Sequence, residues 1–160
     1  MLRRWTRADS GALFEILRDT EVARYIADGN PFTMEKVKGF LAWAESFERA
    51  NGFCRWKVIE KASGEIIGSA GFARIDETEE IELGFLLAQN SWGKGFATEI
   101  TRACAGYGFK KLGFREIIAM TDLENTASQK VLEKIGFTRR GIEVSGGEEN
   151  LVFIKKKSDD

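Results

Sequence analysis

No histidine occurs among the 160 residues. That absence excludes Ser-His-Asp and Cys-His nucleophilic sites and removes the commonest metal ligand, so acid-base chemistry falls to other groups. Cysteine is nearly as scarce. Cys54 and Cys104 stand far apart with no CxxC spacing, which removes a zinc knuckle and makes a reducing, cytoplasmic setting the default, with one disulfide left open. No apolar run approaches about 18 residues, and MLRRWTRADS is followed by no apolar stretch of signal-peptide length, so no membrane partner is expected. Net charge is almost absent as well. The 24 Lys and Arg against 25 Asp and Glu leave a formal charge of -1, too little field to hold a polyanion, and nucleic acid is not expected as a partner.

What is present fits one soluble domain with a substantial core: 43% of residues are hydrophobic and 31% charged. Leu2 to Thr6 reads as a short strand. Asp9 or Ser10 then offers a cap for a helix carrying Leu13, Phe14, Leu17 and Val22 towards Tyr25, broken by Asp28-Gly29-Asn30-Pro31, which holds the single proline. Thr33 caps a second helix through Val37, Phe40, Leu41, Ala44 and Phe47, ended by Asn51-Gly52. From Phe53 the period becomes two. Cys54 to Glu60 and Glu65 to Arg74 form a hairpin, and Glu79 to Leu87 alternates as a third, half-buried strand. A helix over Phe96 to Leu112, a strand over Glu116 to Asp122, a helix over Thr126 to Ile135 and strands over Phe137 to Val144 and Leu151 to Lys156 complete a mixed α+β reading.

Between the third strand and the long helix lies Gln89-Asn90-Ser91-Trp92-Gly93-Lys94-Gly95-Phe96-Ala97-Thr98. A glycine-rich turn opening a helix lets backbone N–H groups converge, and the helix dipole adds partial positive charge, so the turn favours a phosphate or pyrophosphate; an ordinary strand-to-helix loop is the plainer reading. A Walker loop fails, because Gly93-Lys94 is followed by Gly95 and Ala88 stands where its first glycine belongs. A dinucleotide fingerprint is weak, since Thr98 replaces the third glycine and an antiparallel hairpin lies upstream.

The loop resembles the pyrophosphate-binding turn of the GCN5-related N-acetyltransferase (GNAT) superfamily, [Gln/Arg]-x-x-Gly-x-[Gly/Ala], over Asn90 to Gly95, with Asn90 in the Gln/Arg position. Asn125 to Phe137 resembles the family's Asn-x-x-[Ala/Ser]-x-x-[Leu/Val]-x-x-Lys-x-Gly-Phe segment. The opening Leu-x-Arg-x-Trp-x-x-x-Asp, the strand Glu82-x-Gly84-Phe85 and the run Trp92 to Glu99 are similar to the branch containing ribosomal-protein N-terminal acetyltransferases, the RimJ/RimL-like proteins. The resemblance spans nearly the whole chain. It implies residues 1–160 as a single N-acetyltransferase domain, with a mostly antiparallel six- to seven-stranded mixed sheet splayed into a V and about four flanking helices.

The resemblance further implies acetyl-CoA as the acyl donor, without metal. Backbone of Phe85, Leu86 and Leu87 would pair with the pantetheine arm, and Trp92, Gly93, Lys94, Gly95, Phe96, Ala97 and Thr98 would hold the pyrophosphate. Asn125 and Ser128 match positions that contact the pantetheine arm, and Lys130 would neighbour the nucleotide phosphates; helix capping and solvation are their plain alternatives. Amine acetylation needs a base, and with no histidine Glu82 is the best candidate, acting directly or through water, although a glutamate on a solvated strand face is the ordinary alternative. The family's frequent general-acid tyrosine is replaced by Leu132. Ser128 is the remaining hydroxyl near the leaving sulfur, Tyr107 is expected to pack, and Tyr25, Asp28, Asn30, Phe32 and Trp43 are the expected acceptor contacts.

The expected reaction is acetyl transfer to a primary amine, a protein N-terminus or a small molecule, by direct attack in a ternary complex. A non-catalytic acyl-CoA-binding or interaction module is the alternative, and a mononucleotide-binding protein a third class. The acidic turn Asp76, Glu77, Glu79 and Glu80 reads as solvated. A monomer or homodimer is expected, with Leu151 to Lys156 offering an edge strand for pairing.

Overall fold

Residues 1–75 and 78–158 are described by a computed structural model. The chain order is β1 (Leu2–Arg3), α1 (Ser10–Leu17), α2 (Thr20–Ala23), α3 (Met34–Asn51), β2 (Arg55–Ile59), β3 (Ile66–Arg74), β4 (Ile81–Leu87), α4 (Phe96–Lys110), β5 (Glu116–Asp122), α5 (Thr126–Lys134), β6 (Thr138–Ser145) and β7 (Glu148–Lys156). The seven strands follow the order β1-β2-β3-β4-β5-β7-β6 in one mostly antiparallel sheet, with β4 and β5 parallel at Glu82↔Ile118. Five α-helices stand among the described residues instead of four.

The additional helix arises from Asp19. The sequence periodicity predicts one helix from Ser10 towards Tyr25, but Asp19 adopts an extended conformation and its carboxylate accepts the Glu21 N–H at 2.9 Å, ending α1 and capping α2. A short acidic side chain that satisfies a nearby backbone donor competes with helix continuation. At the start of α1, Asp9 occupies the cap position, but its carboxylate turns back to the Thr6 N–H at 2.7 Å and to Lys57 Nζ at 2.8 Å. α3 matches the expected boundaries, with Thr33 Oγ1 accepting from Lys36 N and Gly52 closing the helix in a left-handed conformation.

The chain packs as two units: Met1–Gly71 with Phe85–Lys94, and Phe72–Gly84 with Gly95–Asp160. In the first, Leu13, Ile16, Leu17, Val22, Val37 and Leu41 form an apolar cluster against which Leu86 and Ala88 pack. Full burial of each such side chain contributes roughly 1.5–3 kcal/mol. Gly68 admits the end of β4 closely: a Cβ there would lie 2.1 Å from the Leu86 carbonyl oxygen. Ala88 N then donates to Ile67 O at 2.8 Å, which fixes where β4 gives way to the loop.

In the second unit, β5 pairs antiparallel with β7 from Glu116↔Lys156 to Asp122↔Asn150, and β7 pairs with β6 along its other side. β7 is therefore interior and the exposed edge is β6, which corrects the expectation placed on Leu151 to Lys156. Phe72, Cys104, Ile117, Leu132, Val152 and Phe153 are buried here.

Candidate functional site

The first unit supplies the exit of β4 and the front of the glycine loop. A single 3-10 turn over Gln89–Ser91 follows Ala88, with Ser91 N bonded to Ala88 O and Trp92 N to Gln89 O. The Trp92 indole donates to the Leu87 carbonyl at 2.8 Å, fastening the loop to the last strand residue while 46% of Trp92 stays exposed. Gly93 sits at φ 72° with nothing within 4 Å of an ideal Cβ, so conformation rather than crowding requires glycine there. Lys94 is exposed beside it.

The second unit opens with Gly95 at φ 83°, the N-cap of the 15-residue helix α4. Intrahelical bonding begins with Glu99 N donating to Gly95 O. The N–H groups of Phe96, Ala97 and Thr98 thus precede the helical ladder, and among the described residues no side-chain cap hydrogen bond is made at this helix start. Open space over Gly95, three uncapped donors and the helix dipole fit a bound pyrophosphate.

Asn125 Oδ1 accepts from Ser128 N at 3.2 Å, so Asn125 caps α5. Ser128 is half-buried in the first turn, and Lys130 is exposed. Sequence reasoning missed Gln129. It is buried, and its Nε2 donates to the carbonyls of Asp122 at 3.2 Å and Leu123 at 3.0 Å, clamping the start of α5 to the end of β5. The motif's unspecified position left no signal for it. Glu82 is half-buried in β4 and paired in register with Ile118. Leu132, in the position where the family often has tyrosine, is fully buried. Tyr107 is 45% exposed on α4, contrary to its expected packing.

The expected acceptor contacts fall in three places within the first unit. Asp28, Asn30 and Phe32 meet around Lys36: its Nζ reaches Asp28 Oδ2 at 3.0 Å and lies 5.6 Å from the Phe32 ring centroid, while Asn30 N donates to Asp28 Oδ1. The hydrogen bond from Lys36, then that from Asn30, holds the Asp28 carboxyl below its usual range. Tyr25 packs its ring against the Arg24 guanidinium. Trp43 instead joins a stack on α3, with centroids 5.6 Å from Phe40 and 5.1 Å from Phe47. A groove of about 520 Å3 in this unit, lined by Arg4, Trp5, Glu45, Glu48 and Cys54 among others, contains none of the expected site residues.

Glu79 and Glu80 of the acidic turn are not simply solvated. Glu79 pairs with Arg74 and Glu80 with Arg140, whose hydrogen bond lowers the Glu80 pKa; Asp76 and Glu77 lie outside the described residues. Cys54 and Cys104 are buried free thiols pushed up to about 12, chiefly by desolvation. Among the described residues no cluster of Cys, Asp and Glu could hold a metal, and no helix is long and apolar enough to cross a membrane.

Residues 1–138 match the family model for the acetyltransferase (GNAT) domain. The chain is 33% identical over 143 residues to p20, an uncharacterised N-acetyltransferase of Bacillus licheniformis, covering 88% of this chain and 80% of the relative. A GNAT-family acetyltransferase of Bacillus anthracis superposes with a TM-score of 0.83 at 27% identity, over 97% of this chain and 93% of that one. RimL, the ribosomal L7/L12 α-N-protein acetyltransferase solved with coenzyme A, superposes with a TM-score of 0.82 at 16% identity, over 99% and 94% of the two chains.

Proposed function

The chain belongs to the GNAT acetyltransferase family and is an N-acetyltransferase, and from that premise we propose that residues 1–160 act as one cytoplasmic catalytic domain moving an acetyl group from acetyl-CoA to a primary amine. The carrying observation is the turn into α4, where Gly95 in the left-handed region leaves three successive N–H groups uncapped. In this reading those donors and Lys94 hold the pyrophosphate, Phe85 to Leu87 offer strand backbone to the pantetheine arm, and Asn125 and Ser128 approach the arm from the start of α5. Lys130 neighbours the nucleotide phosphates.

Acetyl-CoA supplies an activated thioester. The new C–N bond forms as the C–S bond breaks, the amine losing a proton and the thiolate gaining one. Glu82 accepts the amine proton directly or through water, and the Leu86 N–H steadies the thioester oxygen. With Leu132 apolar, a hydrogen bond from Ser128 stabilises the departing sulfur, which a thiol pKa near 8.5 makes a tolerable leaving group. The acceptor is a protein N-terminus or a small-molecule amine and meets Tyr25, Asp28, Asn30, Phe32 and Trp43. Asp28 receives a cationic amine only by sharing it with Lys36, which it already holds.

The test is thiol release with a panel of amines and an N-terminal peptide. A general base contributes roughly 100-fold or more, so Glu82→Gln is expected to lower kcat by about that factor while leaving the acetyl-CoA dissociation constant unchanged. An unchanged kcat at saturating amine would remove Glu82 from the role.

A further inference from the structure

The segment from Arg4 to Arg7 and the second half of α3 line the groove of about 520 Å3, a volume within the range of small-ligand sites. All of its lining residues belong to the first unit, and none belongs to the acetyl-CoA cradle. The groove holds an unusual tryptophan. Elsewhere Trp56 Nε1 donates to Glu48 Oε1 at 3.1 Å, Trp92 Nε1 donates to the Leu87 carbonyl at 2.8 Å, and Trp43 is 37% exposed. Trp5 is only 8% exposed, its Nε1 is buried, and no described group accepts a hydrogen bond from it. A buried indole N–H ordinarily has an acceptor. The ring is held edge-on against Phe40, with centroids 6.2 Å apart, inside the cluster of Leu13, Val37 and Leu41, so packing fixes the direction of that donor.

The charged groups of the groove narrow what could accept from it. Three arginines, Arg4, Arg7 and Arg49, stand against two glutamates, Glu45 and Glu48. Arg4 engages Glu48 through Nε at 3.0 Å and Arg49 engages Glu45 at 3.0 Å, so both carboxylates are already paired. Arg7 is exposed and makes no side-chain hydrogen bond or ion pair among the described residues. The groups left open are therefore donors. A cationic guest would find its carboxylates occupied, and an apolar guest would leave the Trp5 N–H without an acceptor. A carboxylate offers acceptor oxygens to the indole and a planar partner to a guanidinium. One unpaired guanidinium balances one negative charge, which favours a monocarboxylate over phosphate.

We propose that this groove is a second binding site, for a small organic monocarboxylate that accepts the Trp5 Nε1 hydrogen bond and pairs with Arg7. The site is independent of the acetyl-transfer reading, since the two share no residue.

Titration of the 15N-labelled full chain, followed through its indole N–H resonances, tests the site with propionate and benzoate as probes and inorganic phosphate at matched ionic strength as the comparison. The Trp5 resonance is identified by its loss in Trp5→Phe or, should that core substitution fail to fold, by its contact with the Phe40 ring. Propionate or benzoate is expected to move the Trp5 indole resonance saturably, while those of Trp43 and Trp92 stay in place. Loss of a hydrogen-bonded charge partner weakens binding by about tenfold or more, so Arg7→Ala is expected to raise the dissociation constant by that factor with an unchanged melting temperature, because the position is exposed. A Trp5 resonance that stays in place or drifts without saturating, one that phosphate moves equally, or binding unaffected by Arg7→Ala would overturn the proposal.

Discussion

Gly95 shows how much one backbone angle governs. Its φ of 83° is left-handed and nothing within 4 Å would touch a Cβ, so a substitution there acts through conformation and through the space a phosphate needs. Gly95→Val is expected to cost about 1–2 kcal/mol of stability and to weaken acetyl-CoA binding at least tenfold, about 1.4 kcal/mol. Gly95→Asn is the informative companion. Asparagine tolerates the left-handed region, so stability is largely kept, yet its amide oxygen can cap the α4 donors and compete with the pyrophosphate. Denaturant unfolding and calorimetric titration separate the two effects, and a Gly95→Asn variant binding acetyl-CoA as tightly as wild type would count against the cradle. The glycines and Asn125 were legible because backbone conformation and capping confine residue choice to a few types. Gln129 was not, since its role depends on the Asp122 and Leu123 carbonyls that folding delivers to it. Helical spacing likewise placed Tyr107 on α4 without telling that it faces water.

At the level of elements, most helix and strand boundaries were readable from period and punctuation, as α3 shows with its Thr33 cap and Gly52 stop. The division of α1 from α2 was hidden because Leu13, Leu17 and Val22 keep helical spacing across it while Asp19 takes a backbone donor for itself. Strand order was hidden too, since β6 and β7 both carry apolar residues and only the parallel and antiparallel ladders decide which lies at the edge. The joint between β2 and the turn before α1 rests on Asp9 and Lys57, whose side chains are only 12% and 14% exposed. Burial alone would raise the Asp9 pKa, but hydrogen bonds from Lys57 and Thr6 outweigh it and the net shift is downward. Asp9→Asn leaves Lys57 without its counterion and is expected to destabilise the protein by about 3 kcal/mol, read from the denaturation midpoint; a loss below experimental error would show the pair to be incidental.

For the whole molecule the absence of histidine becomes a statement about pH. Asp9, Asp28 and Glu80 have folded pKa values below their ordinary values of 3.8, 3.8 and 4.5. For Asp28 and Glu80 the leading cause is a side-chain hydrogen bond, from Lys36 and Arg140 respectively. A lowered folded pKa means that the unfolded chain binds more protons in this range, so the stabilisation is present above the ordinary values and is lost as pH falls through the folded ones. With no histidine to titrate, denaturation midpoints are expected to stay nearly level between about pH 5 and 7 and to fall below about pH 4.5. A steep change near pH 6 would point to a group this account does not contain. The central claim is that the turn into α4 receives the pyrophosphate of acetyl-CoA, and thermal unfolding with acetyl-CoA, CoA, ATP and NAD in parallel tests it most directly. A ligand at about 100 times its dissociation constant adds roughly 2.7 kcal/mol, so acetyl-CoA and CoA are expected to raise the melting temperature selectively. No shift with either, or an equal shift with ATP and NAD, would contradict the claim.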